Sequence, residues 1–290
     1  MEFSREEIEK FRKAGKIAAD IKEKVKPKIK EGVKLLDIAE FIEGEIKKAG
    51  ANPSFPVNIS INDVAAHYTP IPNDVSVFKK GDLVKIDFGA HVEGYPSDTA
   101  FSVSIGVDNP MIKIAEQALD LAVSMCKPGT LVGEIGAEVQ KLIESHGYKP
   151  ISNLTGHSLE QWNLHSGISV PNVAVPASPE LEEGQVFAIE PFVTTGSGRV
   201  HSASPSQIFM LQSMKVRLPK AREALKFIAE NFMSLPFTSR WLPEEYYSLL
   251  SYLVGQNALH QYPLLRDVEN SMISQAEHTI IVQDKPEILT

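Results

Sequence analysis

The chain has 290 residues, room for one large domain or two ordinary ones with a sizeable core, and its 43% hydrophobic and 23% charged content are those of a soluble globular protein. A net charge of −8 argues against nucleic acid or an anionic membrane as the main partner. A single cysteine, Cys126, excludes an intramolecular disulfide, and no run approaches the about eighteen apolar residues of a membrane span. The charged start, MEFSREEIEKFRKAG, lacks the apolar segment of a signal peptide, so a cytoplasmic monomer is the expectation.

Ser4, with Glu6 and Glu7 behind it, predicts a capped helix start. Ile8, Phe11, Ala14, Ile17, Ala18, Ile21 and Val25 then recur at three- and four-residue steps, an amphipathic helix that Pro27 kinks or ends. A second helix is predicted over Leu35–Lys48, with Leu35, Ile38, Ala39, Ile42 and Ile46 inward and Gly50 as its stop. The stretch FPVNISINDVAAHYTP fits neither a clean helix nor a clean strand. From Leu83 to Val92 apolar and polar residues alternate, and Phe101, Val103 and Ile105 alternate on a return strand. A two-residue loop at Val92-Glu93 or at Glu93-Gly94 puts Asp87 and Asp98 on one face. Asp is poor in strands and like charges on neighbouring strands repel, so this pair either stands in solvent or holds something positive.

After Gly106 the pattern restarts. A helix from Pro110 carries Ile114, Ala115, Ala118, Leu119, Ala122 and Met125. Another, about Leu131 to Ser145, carries Ile135, Val139, Leu142 and Ile143, and Gly147 stops it. Gly32, Ile38, Ile42, Ile46, Gly50 and Pro53 match Gly129, Ile135, Val139, Ile143, Gly147 and Pro150 in one register. KGDLVKIDF matches EGQVFAIEP, setting Asp87 against Glu190, and DTAFSV resembles EHTIIV, setting Asp98 against Glu277. This is an internal duplication, two helices then a hairpin, used twice: about 1–107 and about 108–290. The second copy holds an insertion at roughly 213–262, read as a small helical subdomain with helices over Arg222–Phe232 and from Pro243 to about Val254. If the halves pack about a pseudo-twofold axis, Asp87 and Asp98 meet Glu190 and Glu277. Four converging carboxylates cannot all stay ionised unaided, and they can neutralise two divalent ions. Among eight histidines, His157 in NLTGHS is the candidate to complete a borderline-metal ligand set. His67 and His165 lie near the proposed centre, as substrate donors or as satisfied surface groups. His278 alternates away from Glu277, and His91, His146, His201 and His260 have no constellation around them.

In this order, KIDFG, SDTA, TGHS, IEPF and EHTI resemble the methionine aminopeptidases, two-metal peptidases of the "pita-bread" fold. That resemblance implies an α+β fold in which two pseudo-twofold-related helix-helix-hairpin halves surround a curved antiparallel sheet. The helical insertion and FPVNISINDVAAHYTP look like the type 2 class in its short archaeal form, and the likeness runs from about Lys13 to Val282. The implied activity is removal of the N-terminal methionine from nascent proteins and peptides with a small second residue, by a hydroxide held between two divalent ions (Co, Mn, Fe or Zn). By resemblance, Asp87 binds one metal, Asp98 and Glu277 bridge, and His157 and Glu190 complete the other, with Glu190 as proton shuttle. His67 and His165 contact the substrate peptide and the tetrahedral intermediate. Phe55, Pro56, Leu164, Phe192, Tyr262 and Leu265 fall at positions that line the methionine pocket. Ala276 departs from the pattern, standing where relatives carry Phe. An Xaa-Pro-cleaving aminopeptidase of the same fold and a metal-free binding module are the alternatives. The complete ligand set opposes the second, and the helical insertion opposes the first.

Overall fold

The computed structural model describes residues 3–290. The first half comprises α1 (Arg5–Val25), α2 (Leu35–Lys48), β1 (Asn52–Pro53), β2 (Asn58–Ile61), β3 (Val64–Ala66), β4 (Leu83–Phe88), β5 (Ala90–Val92), β6 (Tyr95–Pro96) and β7 (Thr99–Ser104). The second opens with α3 (Pro110–Met125) and α4 (Val132–Ser145), then β8 (Lys149–Pro150), β9 (Thr155–Ser158), β10 (Ser169–Pro171), β11 (Val186–Ile189) and β12 (Phe192–Thr194). It continues through β13 (His201–Leu211), α5 (Pro219–Phe232), β14 (Phe237–Thr238), α6 (Leu250–Gly255), β15 (Leu259–Arg266), β16 (Ile273–Gln275), β17 (His278–Ile281) and β18 (Glu287–Ile288).

Helix α1 opens on a reciprocal cap: Ser4 Oγ accepts from the Glu7 amide, and Glu7 Oε2 accepts from the Ser4 amide at 2.7 Å. Pro27 ends the helix in a 3₁₀ turn, Lys26–Lys28, rather than kinking it. Gly50 and Gly147, placed in register by the repeat, both adopt a left-handed φ, +76° and +80°, just past the ends of α2 and α4. The apolar stripes of α1 and α2 bury Ala18, Ile21, Ile38 and Ile42 against Ile59, Ile86 and Phe88 of the sheet β2-β4-β7. Those of α3 and α4 bury Ala115, Leu119, Ile135 and Val139 against Phe187, Ile189 and Ile280. Each such Ile, Leu, Val or Phe contributes about 1.5–3 kcal/mol on burial. Ala276 lies in this second core, 5% exposed.

The two halves meet through their acidic strands. The Asp98 amide donates to Thr279 Oγ1 at 2.7 Å, and the Glu277 amide donates to the Ala100 carbonyl at 3.0 Å. Thr99 Oγ1 donates to the Glu277 carbonyl at 2.9 Å. Each half thereby fixes the backbone that carries the other's carboxylate.

Several elements differ from the sequence expectation. FPVNISINDVAAHYTP forms two short strands, β2 and β3, that turn at Asn62 with φ +54° and join different sheets, β2 pairing with β4 and β3 with β15. Both faces are covered, Asn58 and Ser60 included, which hides the usual polar face. Between β12 and β16 the chain builds more than helices. Strands β13 and β15 form a long antiparallel ribbon, with β14 on one side and β3 on the other. Pro205 and Pro263 interrupt the alternation that would have revealed it, and the register shifts on either side of the Pro205–Pro263 pair. Helix α5 starts at Pro219, earlier than its apolar stripe suggests. The expected helix after Pro243 is a 3₁₀ segment, Glu244–Leu249, followed by the short α6.

Candidate metal centre and substrate cavity

The hairpin turns at Glu93-Gly94, with Val92 facing Tyr95 and φ of +52° and +85° at the two turn residues. Farther in, Asp87 pairs with Ala100 and Phe88 with Thr99, so Asp98 projects on the same face as Asp87. On the other half, Ile189 faces His278 and Phe192 faces Gln275, which brackets Glu190 opposite Glu277. His157 pairs with Ala188 of β11. Gly156 beside it lets β9 approach that strand closely: a Cβ there would lie 2.4 Å from the Ala188 carbonyl oxygen.

These five side chains converge. Asp98, His157 and Glu277 each bring a ligand atom within 4.8 Å of the others. His157 Nε2 lies 3.6 Å from Asp98 Oδ2 and 3.8 Å from Glu190 Oε1. Asp98 is 4% exposed and Glu277 1%, so a wet edge hairpin with solvated acids is excluded. Burial pushes the Asp87 carboxyl up to about 7. Asp98, Glu190 and Glu277 are held well above the usual carboxylate range, first by burial and then by the charge of neighbouring acids, that of Asp87 acting on all three. Burial, with His165 nearby, holds His157 neutral. Gln275 Nε2 donates to Glu190 Oε2 at 3.3 Å, while Asp87 Oδ1 and Asp98 Oδ1 are buried with no hydrogen-bond partner among the described residues. Lys22 acts on Glu277 only through space, its Nζ donating to Thr99 Oγ1 at 3.1 Å. Unpartnered carboxylate oxygens crowded around a neutral imidazole are the donor set a divalent ion needs.

The cluster heads a cavity of about 230 Å³, whose walls include Phe55, His67, Leu164, His165, Phe192, Tyr262 and Leu265. Pro56, expected on this wall, is not among the residues lining it; it is buried, and its carbonyl accepts from Asn58 Nδ2 at 2.9 Å. Phe55, the residue before it, does line the cavity. His67 has a left-handed φ of +68° and stands edge-on to Tyr262, ring centroids 5.2 Å apart. His165 opens at the rim, its ring 4.1 Å from that of His157. The protein around it, and His67, keep its pKa below the ordinary value.

Sequence reasoning missed Asn58, Asn153, Ile208 and Pro236 on the wall, and Gln275 beside the acids. Gln275 was within reach, being two residues from Glu277 and so on the same face of its strand. Asn58 pairs with Asp87 across β2 and β4, but only once the β2 strand is known. His91 and His278 have structural partners instead: Nδ1 of His91 accepts from the Gly94 amide at 3.1 Å, and His278 Nδ1 meets Thr290 Oγ1 at 3.2 Å.

A buried carboxylate–imidazole cluster at the head of an apolar cavity, built by two like halves, is the site of a metal-dependent hydrolase. The chain belongs to metallopeptidase family M24, which it matches over residues 9–213. It is 43% identical over 293 aligned residues to a methionine aminopeptidase of Thermococcus onnurineus, covering 98% of this chain and 99% of that one. It is likewise 43% identical to a methionine aminopeptidase of Methanocaldococcus jannaschii, covering 96% of each. A crystal structure of methionine aminopeptidase from Thermotoga maritima superposes with a TM-score of 0.75 at 24% identity, covering 100% of this chain and 98% of that one. The fold is the pita-bread fold. No described helix is long and apolar enough to cross a membrane.

Proposed function

We propose that the chain is a methionine aminopeptidase of the type 2 class, which removes N-terminal methionine from peptides and nascent proteins whose second residue is small. The observation that carries this reading is the direct opening of the acid cluster onto an apolar chamber walled by Phe55, Phe192, Tyr262 and Leu265. In this reading Asp87, Asp98, His157, Glu190 and Glu277 hold two divalent ions, of Co, Mn, Fe or Zn. When bound, such ions bring the pKa of water from 15.7 towards about 7 and polarise the scissile carbonyl.

The residues divide the remaining tasks. Glu190, 14% exposed at its side chain and raised in pKa by burial and by Asp87, is suited to take a proton and return it to the leaving amine. His67 Nδ1 lies 2.9 Å from the Pro263 carbonyl, which can only accept, so the ring's proton sits on Nδ1. Burial lowers the pKa of His67 and keeps the ring neutral, which leaves Nε2 as an acceptor. His67 therefore takes a hydrogen bond from the substrate backbone, and donation to the developing oxyanion falls to His165. The apolar walls select the first side chain, because a charged one would shed its hydration without a partner. One methylene more or less is worth about tenfold or more in kcat/KM.

Met-Ala-Ser, Leu-Ala-Ser, Met-Lys-Ser, acetyl-Met-Ala-Ser and Ala-Pro-Ser, offered to metal-stripped protein with each metal restored in turn, test the proposal. Met-Ala-Ser should be cleaved fastest and the acetylated peptide not at all. Fast cleavage of Ala-Pro-Ser with little action on Met-Ala-Ser would move the chain to the proline-specific peptidases. No cleavage with any metal would leave a binding module.

A further inference from the structure

We propose that Arg240 is a positioning residue: latched to Glu43, it holds a strap of chain, residues 234–241, across the substrate cavity and so sets the spacing of the cavity's walls. The strap leaves α5 and spans from the second half to the first. At one end Ser234 Oγ donates to the Trp162 carbonyl, on the loop that carries Leu164 and His165. Leu235 is buried with Phe55 and Leu164, Pro236 faces the cavity, and β14 pairs with β13 next to Ile208. At the other end the Arg240 guanidinium makes four hydrogen bonds. Nη1 and Nη2 donate to Glu43 Oε2 and Oε1 at 2.7 and 2.8 Å, Nη2 also donates to Thr69 Oγ1 at 3.0 Å, and Nε donates to the Pro70 carbonyl at 2.8 Å. Glu43 accepts in turn from Trp241 Nε1 at 2.9 Å and from the Val57 amide at 3.4 Å.

The pair is buried, with the Arg240 and Glu43 side chains 5% and 6% exposed. Most partners outside the pair lead back to a wall. Val57 is two residues from Phe55, Thr69 is two residues from His67, and Trp241 belongs to the strap that presents Pro236. A buried ion pair of this kind adds little net stability over apolar residues of similar volume, because desolvation offsets the attraction. What the planar, bidentate fork adds is direction and distance. Its hydrogen-bond partners do not include the acid cluster, so its effect falls on substrate fit and not on metal binding.

The inference rests on Phe55, His67 and Pro236 walling the first-residue pocket. Two variants of the metal-loaded protein test it: Arg240→Lys, which keeps the charge but not the fork, and the double variant Arg240→Met with Glu43→Leu, which leaves no buried charge unpaired. Metal content, thermal midpoint, and kcat and KM for Met-Ala-Ser and Leu-Ala-Ser are measured on each. Both should bind metal as wild type does, raise KM for Met-Ala-Ser by about tenfold and narrow the preference for Met over Leu, with kcat within about threefold. A folded variant with wild-type KM and preference overturns the proposal, as does a loss confined to kcat or to metal content. If the double variant does not fold, Arg240→Lys decides alone; if that variant also fails to fold, the pair holds the fold rather than the pocket and the proposal falls. Phe55→Ala and His67→Ala run in the same assay. If neither moves KM or preference, the pocket assignment itself is wrong; if they do and the Arg240 variants do not, only the latch is wrong.

Discussion

Stripping metal from the protein should make its stability depend on pH in a direction opposite to that of most carboxylate-bearing proteins. Asp87 is the group for which the size can be worked. Burial raises its pKa from 3.8 to about 7, so the folded metal-free chain binds a proton that the unfolded chain has released. For a raised pKa, the associated stability is fully present below the unfolded value and is lost as pH rises through the folded one. At about 1.4 kcal/mol per pH unit the whole interval amounts to at most about 4 kcal/mol. Asp87 is partly open to the cavity, and discounting for solvent screening leaves about 2 kcal/mol, lost between about pH 4 and pH 7. Asp98, Glu190 and Glu277 shift in the same sense, each raised by burial and by its acidic neighbours. Urea unfolding of chelator-treated protein across this range should show stability falling as pH rises, and saturating divalent metal should abolish the fall by holding the acids ionised. Asp87→Asn should flatten part of the metal-free slope. A metal-free protein equally stable at both ends of the range, or a slope untouched by metal and by Asp87→Asn, would refute the argument that these acids are mutually repelling ligands.

Two further outcomes follow from the same geometry. Glu277→Gln should lower the metal content of purified protein and cut peptide cleavage by more than the about 10–100-fold typical of losing a supporting partner; elemental analysis reads the first, and unchanged stoichiometry would remove Glu277 from the ligand set. Gly156→Ala should cost about 1–3 kcal/mol by overpacking, since its Cβ would lie 2.4 Å from the Ala188 oxygen, and should weaken metal binding by displacing His157; a wild-type melting midpoint and metal affinity would show that β9 can shift freely.

How much of this was legible in the sequence depended on what each residue's periodicity had to compete with. Asp87 and Asp98 could be put on one face because a two-residue turn leaves little freedom of register, and the turn at Glu93-Gly94 is one of the two considered. Glu190 and Glu277 followed from the repeat, whose glycines mark the ends of α2 and α4 at the same left-handed φ. Where alternation was broken, reading failed. Pro205 and Pro263 hid the ribbon of β13 and β15, and the covered polar face of β2 hid Asn58. Lys85 shows the limit most clearly. It alternates with Asp87 and reads as a solvated face, yet it is fully buried, donating to the Ile273 carbonyl at 2.9 Å, with burial lowering its pKa to about 7. Nothing local to Lys85 says that a carbonyl 188 residues away will receive it. Arg240 and Glu43 were invisible for the same reason: each is an ordinary helix or loop residue until the strap brings them together.

The division of labour between repeated and unrepeated chain explains why the site is lopsided. All four acids stand on strands, or at strand ends, that both halves possess, and a pseudo-symmetric pair of hairpins is a natural cradle for divalent cations. Symmetry alone cannot make a peptidase that starts at one end of its substrate, because a twofold cradle presents the same surface to both sides. The asymmetry comes from the ribbon and its helices. Strand β13 supplies Ile208, β15 supplies Tyr262 and Leu265, and the strap supplies Pro236 to the cavity wall. The ribbon also joins β3 through Leu265 and Ala66, one residue before His67, and the Pro263 carbonyl on the same strand fixes which His67 nitrogen carries the proton. A segment absent from the first half thus closes one side of the cradle with apolar walls and orients a first-half histidine towards it. On this view, substitutions among the acids should change metal content first and selectivity little, whereas substitutions in the ribbon should change selectivity with metal content intact. The two sets of residues are separated in sequence in just the way the chain's partial repeat separates them.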